Sequence, residues 1–262
     1  MPDHLLTTRD DAVVTLTLNE PERRNPLSLA LMQELTAALA AVGGDPSVRV
    51  VVIGAAGPAF SSGHDLRELL GRDDAHYRRV FAACGELMMT VHRIPQPVIA
   101  RVQGAAFAAG CQLVAACDLA LASESATFAT PGVRIGLFCT TPMVEVARAV
   151  GRKRALELLL TGDPVDARAA AEWGLVNRVV PAHELDAAAA DLAGRVASAS
   201  GLTLGVGKAA FYDTMDPGLP MDYASASAVM CANALDPDAQ EGIGAFLDKR
   251  APVWTGTSSP AP

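Results

Sequence analysis

Residues 97–118 of this chain, PVIARVQGAAFAAGCQLVAACD, hold a strand signal, a small-residue turn and a buried helix in one phrase. Val98, Ile99, Ala100 and Val102 form a short apolar run of the kind that makes a buried strand. Between Gly104 and Gly110 no side chain is larger than Phe107, so backbone there can approach a ligand closely. Leu113 to Ala116 continue as a helix apolar on nearly every face, whose first turn offers unpaired N–H groups and the positive end of its dipole at Gly110. That is a place for a developing negative charge. A second small-residue loop, FSSGHDL at residues 60–66, carries His64, a group that titrates near neutral pH. Cys139 is either a nucleophile or a small apolar lining residue, and Asp65 and Asp118 suit the capping of turns.

These groups need elements to hold them. Residues 13–18 alternate Thr with Val and Leu, which predicts a strand, and Asn19-Glu20-Pro21 ends it. A basic loop, Glu22-Arg23-Arg24-Asn25-Pro26, leads to Ser28, the N-cap of an amphipathic helix carrying Leu31, Leu35, Leu39 and Val42 and stopped by Gly43-Gly44. The strand, loop and helix pattern recurs at residues 48–53, 54–63 and 77–91, and residues 97–118 are its third copy. Residues 119–121 and 127–128 predict short strands, and 143–160 a long helix interrupted near Gly151. From 184–195, from about 204–212 and from 238–249 the chain reads as helix alone, with a break at Asp216-Pro217-Gly218. The expectation is an α/β core over residues 1–195, a helical region over 196–254 and a disordered tail over 255–262.

With 262 residues, 50% of them hydrophobic, the chain can bury a large core. Its net charge of -8 repels phosphate at long range, which argues against nucleic acid or an anionic membrane as partner. Local basic spots remain able to bind a phosphorylated cofactor. The cysteines number 5 and lack the close paired spacing of zinc sites, so reduced thiols and no metal site are expected. The N-terminal residues MPDHLLTTRDD contain no basic region followed by an apolar core, and no apolar run approaches the roughly 20 residues of a bilayer span. A cytoplasmic protein without a membrane span is expected.

FSSGHDL at 60–66, VQGAAFAAGCQLVAACD at 102–118, LTGDPVDARAAAEWGLVNRVV at 160–180 and EGIGAFLDKRAP at 241–252 resemble the signature segments of the crotonase family, also called the enoyl-CoA hydratase/isomerase superfamily. The resemblance covers residues 13–254. It implies a spiral of repeated ββα units with a C-terminal helical region that mediates assembly into a homotrimer or dimer of trimers. It also implies an acyl-CoA thioester as ligand, with coenzyme A present as part of that substrate and no permanently bound cofactor, and a place in fatty-acid metabolism. On the family pattern the backbone amides of Ser62 and Ala109 are the oxyanion donors. Coenzyme A would lie against Arg23, Arg24, Gly63 and Gly110, with Lys249 or Arg250 reaching its phosphates from this subunit or a neighbour. The family commonly has glycine where this chain has Ala108 and Ala109, so the donor geometry is relaxed if φ is negative there and strained if it is positive.

In hydratases of this family two glutamates flank the double bond and share one water, and their positions here are Gln112 and Gly132. A third acidic location, four residues after Gly136, is Thr140. None of the three exchanges a proton near neutral pH, although Gln112 could orient water. Acid–base help is worth roughly 10² to 10⁴-fold per group, so ordinary hydration should be weak or absent. The pattern GCQLVAACD with ATPGVRIGLFCTTP is similar to that of the enoyl-CoA hydratase domain-containing protein 3 group. His64 becomes the candidate titratable group, the alternative being a structural histidine bonded to local backbone. Three readings stand: an enzyme that stabilises an enolate without the paired glutamates, by decarboxylation, isomerisation or thioester cleavage; a non-catalytic acyl-CoA-binding or regulatory protein; and a hydratase that uses other groups.

Overall fold

The structure, a computed structural model, describes residues 4–216 and 218–254. Strand β1 (Leu5–Asp10) runs antiparallel to β2 (Val13–Leu18), which buries Val14, Leu16 and Leu18 and leaves the residues between them half-buried. Helix α1 (Leu29–Gly43) starts where the Ser28 hydroxyl accepts from the Leu31 amide at 3.2 Å, and it buries Leu31, Met32, Leu35 and Leu39. Three units then follow the same plan. The first is β3 (Val50–Ala55), β4 (Ala59–Ser61) and α2 (Asp74–Arg93); the second is β5 (Val98–Val102), β6 (Ala105–Phe107) and α3 (Ala109–Ala116); the third is β7 (Leu119–Ser123), β8 (Thr127–Ala129) and α4 (Thr140–Val150).

In each unit the first strand joins a larger sheet and the second a smaller one. Helix α5 (Arg152–Thr161), β9 (Val165–Asp166), α6 (Ala167–Trp173) and β10 (Arg178–Val180) complete them, in the orders β1-β2-β3-β5-β7-β10 and β4-β6-β8-β9. Apart from β1–β2 and β8–β9 the pairings are parallel. Strand β3 is buried along its whole length, as a central parallel strand covered on both faces must be. Helix α7 (Leu185–Ala197) covers the outer face of the larger sheet over Val50, Val52, Ile99 and Leu121. Helices α8 (Gly201–Met215), α9 (Leu219–Leu235) and α10 (Pro237–Leu247) end the described chain. This is the repeated ββα spiral with C-terminal helices.

The structure departs from the sequence pattern in several places. The interruption expected near Gly151 is present, at φ 76°, and divides the stretch into α4 and α5, but α4 begins at Thr140 rather than at 143. Strands β4 and β6, three residues each, lie inside what reads as loop. Helix α9 gives no strong periodic signal, because small Ala and Ser residues stand between its buried Leu219, Tyr223, Ala226, Met230 and Ala234. It nevertheless packs against α2 and α4 in the main core. No helix among the described residues is long and apolar enough to cross a membrane. The tail at 255–262 lies outside the described residues.

Candidate functional site

Strands β4, β6 and β8 lie side by side, so the loops that follow them open together. Gly63, at φ 92°, sits so close to the second loop that a Cβ there would stand 2.8 Å from Ala108 Cβ and 3.3 Å from the Ala109 amide nitrogen. A Cβ on Gly110 would stand 2.7 Å from the Ser61 carbonyl oxygen. The two segments therefore meet backbone to backbone. Only residues without a side chain allow that approach.

Ala109 opens α3, so its N–H has no partner within the helix. The residue before it carries the strain: Ala108 lies at φ 49° and ψ −117°, while Ala109 is not among the positive-φ residues. Ala108 is pinned there by its own amide, which donates to the Ala129 carbonyl at 2.8 Å, and by its carbonyl, which accepts from the Gln112 amide at 3.0 Å. Such a conformation costs on the order of 1–3 kcal/mol in a residue with a Cβ. The structure corrects the expected donor in the first segment. The Ser62 amide donates to the Arg24 carbonyl at 2.9 Å and is not free. His64, by contrast, forms a parallel bridge to Leu27 in which Gly63 supplies the carbonyl, and its own amide finds no acceptor among the described residues.

The His64 side chain is buried, edge-on to Phe81 with ring centroids 5.5 Å apart, and its Nε2 has no hydrogen-bond partner. Burial holds its pKa down to about 4. The ring is neutral at pH 7, so it is not a proton donor there. Gln112 is fully buried, and both ends of its amide are engaged: Oε1 by the Cys84 thiol at 3.6 Å and Nε2 by the Tyr223 hydroxyl at 3.2 Å. It therefore orients protein groups, and the expected role in orienting water has no exposed surface to act through.

A Cβ on Gly132 would stand 2.1 Å from the Leu137 carbonyl oxygen and 2.7 Å from Cys139 Sγ. Residues 137–139 thus close over the spot that a side chain at 132 would fill. Thr140 is buried, with its hydroxyl on the Phe138 carbonyl at 3.2 Å. Burial pushes the Cys139 thiol up to about 12, which makes it a lining residue and not a nucleophile. Asp65 accepts from the Arg67 amide at 3.2 Å and so satisfies its turn, whereas Asp118 does not act within a turn: it accepts from the Val98 amide at 2.6 Å and pairs with Lys208 Nζ at 2.7 Å.

Arg23 is ion-paired with Glu20 at 3.0 Å and also with Asp65, and the hydrogen bond to Asp65 holds its proton more tightly than usual. Arg24 is exposed at φ 63° and its side chain has no partner among the described residues. Lys249 lies just past α10, exposed at φ 55°, and nothing ties it to the two arginines. Its neighbour Arg250 pairs with Glu241 at 2.6 Å. The residue that shapes the basic loop is Asn25, fully buried, whose amide accepts from Glu20 N at 2.8 Å and donates to the carbonyls of Ala56 and Ala59, each at 2.9 Å. An asparagine among turn-forming residues was the available signal for it. Tyr223, which stands behind Gln112, left no such signal, and Glu145 reads from the sequence as a group one helical turn away from the site.

The site is thus two small-residue segments in contact, one at the start of a helix, beside a loop with an unpaired arginine. The enoyl-CoA hydratase/isomerase family profile matches residues 8–257, nearly the whole chain. The chain belongs to that family. Similar relatives include the rat protein named enoyl-CoA hydratase domain-containing protein 3, mitochondrial, which is 46% identical over 250 residues covering 95% of this chain and 83% of the relative. A solved enoyl-CoA hydratase from Mycobacterium smegmatis matches with TM-score 0.81 and 46% identity, covering 96% of this chain and 99% of that one. The crystal structure of human enoyl-CoA hydratase domain-containing protein 3 matches with TM-score 0.80 and 44% identity, covering 96% and 100%. Within the enoyl-CoA hydratase/isomerase family the chain falls with the domain-containing protein 3 group. The relatives also correct one expectation: the cytoplasmic location drawn from the N-terminal residues is overturned, since the rat and human members of that group, each 46% identical, are named mitochondrial.

Proposed function

We propose that this member of the enoyl-CoA hydratase/isomerase family binds an acyl-CoA thioester and stabilises its enolate or oxyanion with two backbone amides. The observation that carries the reading is the contact of Gly63 with Ala108 and Ala109, which brings the unpartnered amides of His64 and Ala109 to adjoining segments. His64 takes the place of Ser62 as the first donor. Losing one such donor typically raises the barrier by about 2.7–4 kcal/mol.

The thioester carbonyl accepts from both amides, and charge that develops on its oxygen meets the positive end of α3. The coenzyme A moiety extends toward the loop of Arg23 and Arg24, where Arg24 is the cation free to meet a phosphate; Gly63 and Gly110 keep the walls thin. Lys249 would reach the phosphates only as part of an assembly or a closed state. A trimer or dimer of trimers is supported by the apolar side chains that α8 and α9 leave exposed, among them Leu202, Val206, Phe211 and Met221.

Gln112 and Gly132 stand where hydratases of the family have glutamates, and neither transfers a proton. Ordinary hydration is therefore not the proposed reaction. Decarboxylation or isomerisation of an acyl-CoA fits an enolate-stabilising site without paired carboxylates, and a non-catalytic acyl-CoA-binding protein is the second reading, favoured by the burial of His64, which at a pKa of about 4 is a weak base as well as no acid at pH 7. The test is purified protein with enoyl-, malonyl-type and saturated acyl-CoA thioesters, products followed by mass spectrometry and binding by calorimetry. Turnover of a malonyl-type or isomerisable thioester supports the first reading, and tight binding without turnover the second. Hydration of crotonyl-CoA at an ordinary hydratase rate, or no binding at all, would overturn both.

A further inference from the structure

A chain of buried polar groups runs away from α3 through the core. Gln112 Nε2 donates to Tyr223 Oη at 3.2 Å, and Tyr223 Oη donates to Glu145 Oε1 at 2.8 Å. At the other end Gln112 Oε1 accepts from the Cys84 thiol at 3.6 Å. Glu145 is 3% exposed, and His92 Nε2 stands 3.6 Å from its Oε1. Neither ring nitrogen of His92 has a hydrogen-bond partner. A buried carboxyl in the interior of a helix, tied to an amide in the candidate site and used by no step above, calls for a role.

The direction of each bond is set at the Glu145 end. An ionised carboxylate can only accept, so Tyr223 must donate to it, and the phenol oxygen is left to accept from the Gln112 NH₂ group. That turns Gln112 Oε1 toward the Cys84 thiol. A protonated Glu145 carries a donor of its own. Given to Tyr223 Oη, it frees the phenol hydrogen to point at Gln112, whose oxygen is then the matching partner, and the amide presents NH₂ to Cys84 instead. The Thr141 hydroxyl, buried without a partner beside Cys84, is placed to take the thiol hydrogen in that arrangement.

We propose that Glu145 is a positioning residue: through Tyr223, the proton it holds or lacks sets which end of the Gln112 amide faces Cys84, three residues into the helix that Ala109 opens. Its bearing on a thioester rests on the function proposed above, whereas the switch belongs to the chain itself. Burial brings the Glu145 carboxyl up to about 7, opposed by the Tyr223 hydrogen bond and Arg148 and aided by Asp216, so both states are populated near neutral pH. The groups facing it are Arg148 on its own helix, His92 on α2, Cys117 at the end of α3, Tyr212 and Asp216 at α8, and Tyr223 on α9, with Cys84 on α2 facing Tyr223 and Gln112. Burial keeps the imidazole down at about 4 and the Cys84 thiol up at about 12, and it raises Cys117 and both phenols, so none of these titrates near neutrality.

The test is infrared spectroscopy of the full chain without ligand, following the S–H stretching band of Cys84, identified as the band lost in Cys84→Ala, from about pH 5 to about pH 9. In the wild type one band should give way to another with a midpoint at about 7. In Glu145→Gln, which cannot change charge, and in Tyr223→Phe, which cuts the chain, the band should stay in place. A wild-type band that does not move, or a titration that survives in either variant, overturns the proposal. If Glu145→Gln does not fold, the wild type and Tyr223→Phe decide it. Because no acyl-CoA is present, failure of thioester binding would count against the proposed function and leave this titration standing.

Discussion

The amide of Ser62 donates to the carbonyl of Arg24 over 2.9 Å, which joins the first segment of the candidate site to the basic loop. Arg24 and Asn25 both hold left-handed backbone, at φ 63° and 50°, to present that carbonyl, and the buried Asn25 amide secures the turn from below. Asn25→Ala leaves the Glu20 amide and the Ala56 carbonyl without partners, while the Ala59 carbonyl keeps the Gln103 amide at 3.0 Å. With each such buried group worth about 1–3 kcal/mol, the loss should be about 2 kcal/mol or more, read as a lower urea midpoint. A variant of unchanged stability would show that water replaces the amide.

The two arginines should differ in their effect on coenzyme A. Arg24 has no ion pair, whereas Arg23 is neutralised by Glu20 and Asp65. Arg24→Ala should weaken coenzyme A binding about tenfold, a charge-assisted bond of about 1.4 kcal/mol, and should flatten the salt dependence of binding. Arg23→Ala should cost less affinity and more stability. Calorimetric titration at two salt concentrations separates them, and the reverse order would move the phosphate site away from Arg24.

Ala108→Gly should stabilise the protein. The strain of φ 49° with ψ −117° is removed, while the added freedom of glycine in the unfolded chain offsets part of the gain. The net is about 1–2 kcal/mol in favour of glycine. A thermal midpoint that falls in this variant would mean the Ala108 methyl contributes packing that outweighs its strain.

Restoring glutamates should not restore a hydratase. Gly132→Glu drives a Cβ to 2.1 Å from the Leu137 carbonyl oxygen, so residues 137–139 must move, at about 3 kcal/mol or more. Gln112→Glu keeps the shape but brings a second buried carboxyl close to Tyr223 and Glu145. The double variant is expected to lose stability in a denaturant titration without gaining crotonyl-CoA hydration, and a gain would show that the loop adapts.

The pH dependence of stability has opposing parts. His64 and His92 are held down to about 4, below the 6.5 they have when unfolded, so each contributes stability above 6.5 that is lost as pH falls toward 4. Glu145 is held up to about 7 from 4.5, so its contribution is full below 4.5 and is lost as pH rises to 7. Glu145→Gln should therefore gain on the wild type, by a few kcal/mol at most, as pH rises across that interval. His92→Phe keeps the stack on Tyr212, at 4.1 Å between ring centroids, and removes two unpartnered nitrogens. Its acid limb should be shallower by about one proton, measured by denaturant titrations across pH.

Local sequence determined the parts whose signals are local. Ser28 as a helix cap, the alternation of Val13 to Leu18, the break at Gly151 and the small-residue turns at Gly63 and Gly110 are each decided by a few neighbouring residues. The family motifs, equally continuous in the chain, brought the ββα spiral with them. Tertiary structure alone decided which backbone groups remain free: the Ser62 amide is taken by a carbonyl 38 residues before it, a pairing that no motif encodes. It alone placed Tyr223, on a helix whose small residues hide its period, between Gln112 on α3 and Glu145 on α4. Burial likewise turned His64 from a titrating group into a neutral ring, because desolvation is set by what packs around a side chain and not by its neighbours in sequence.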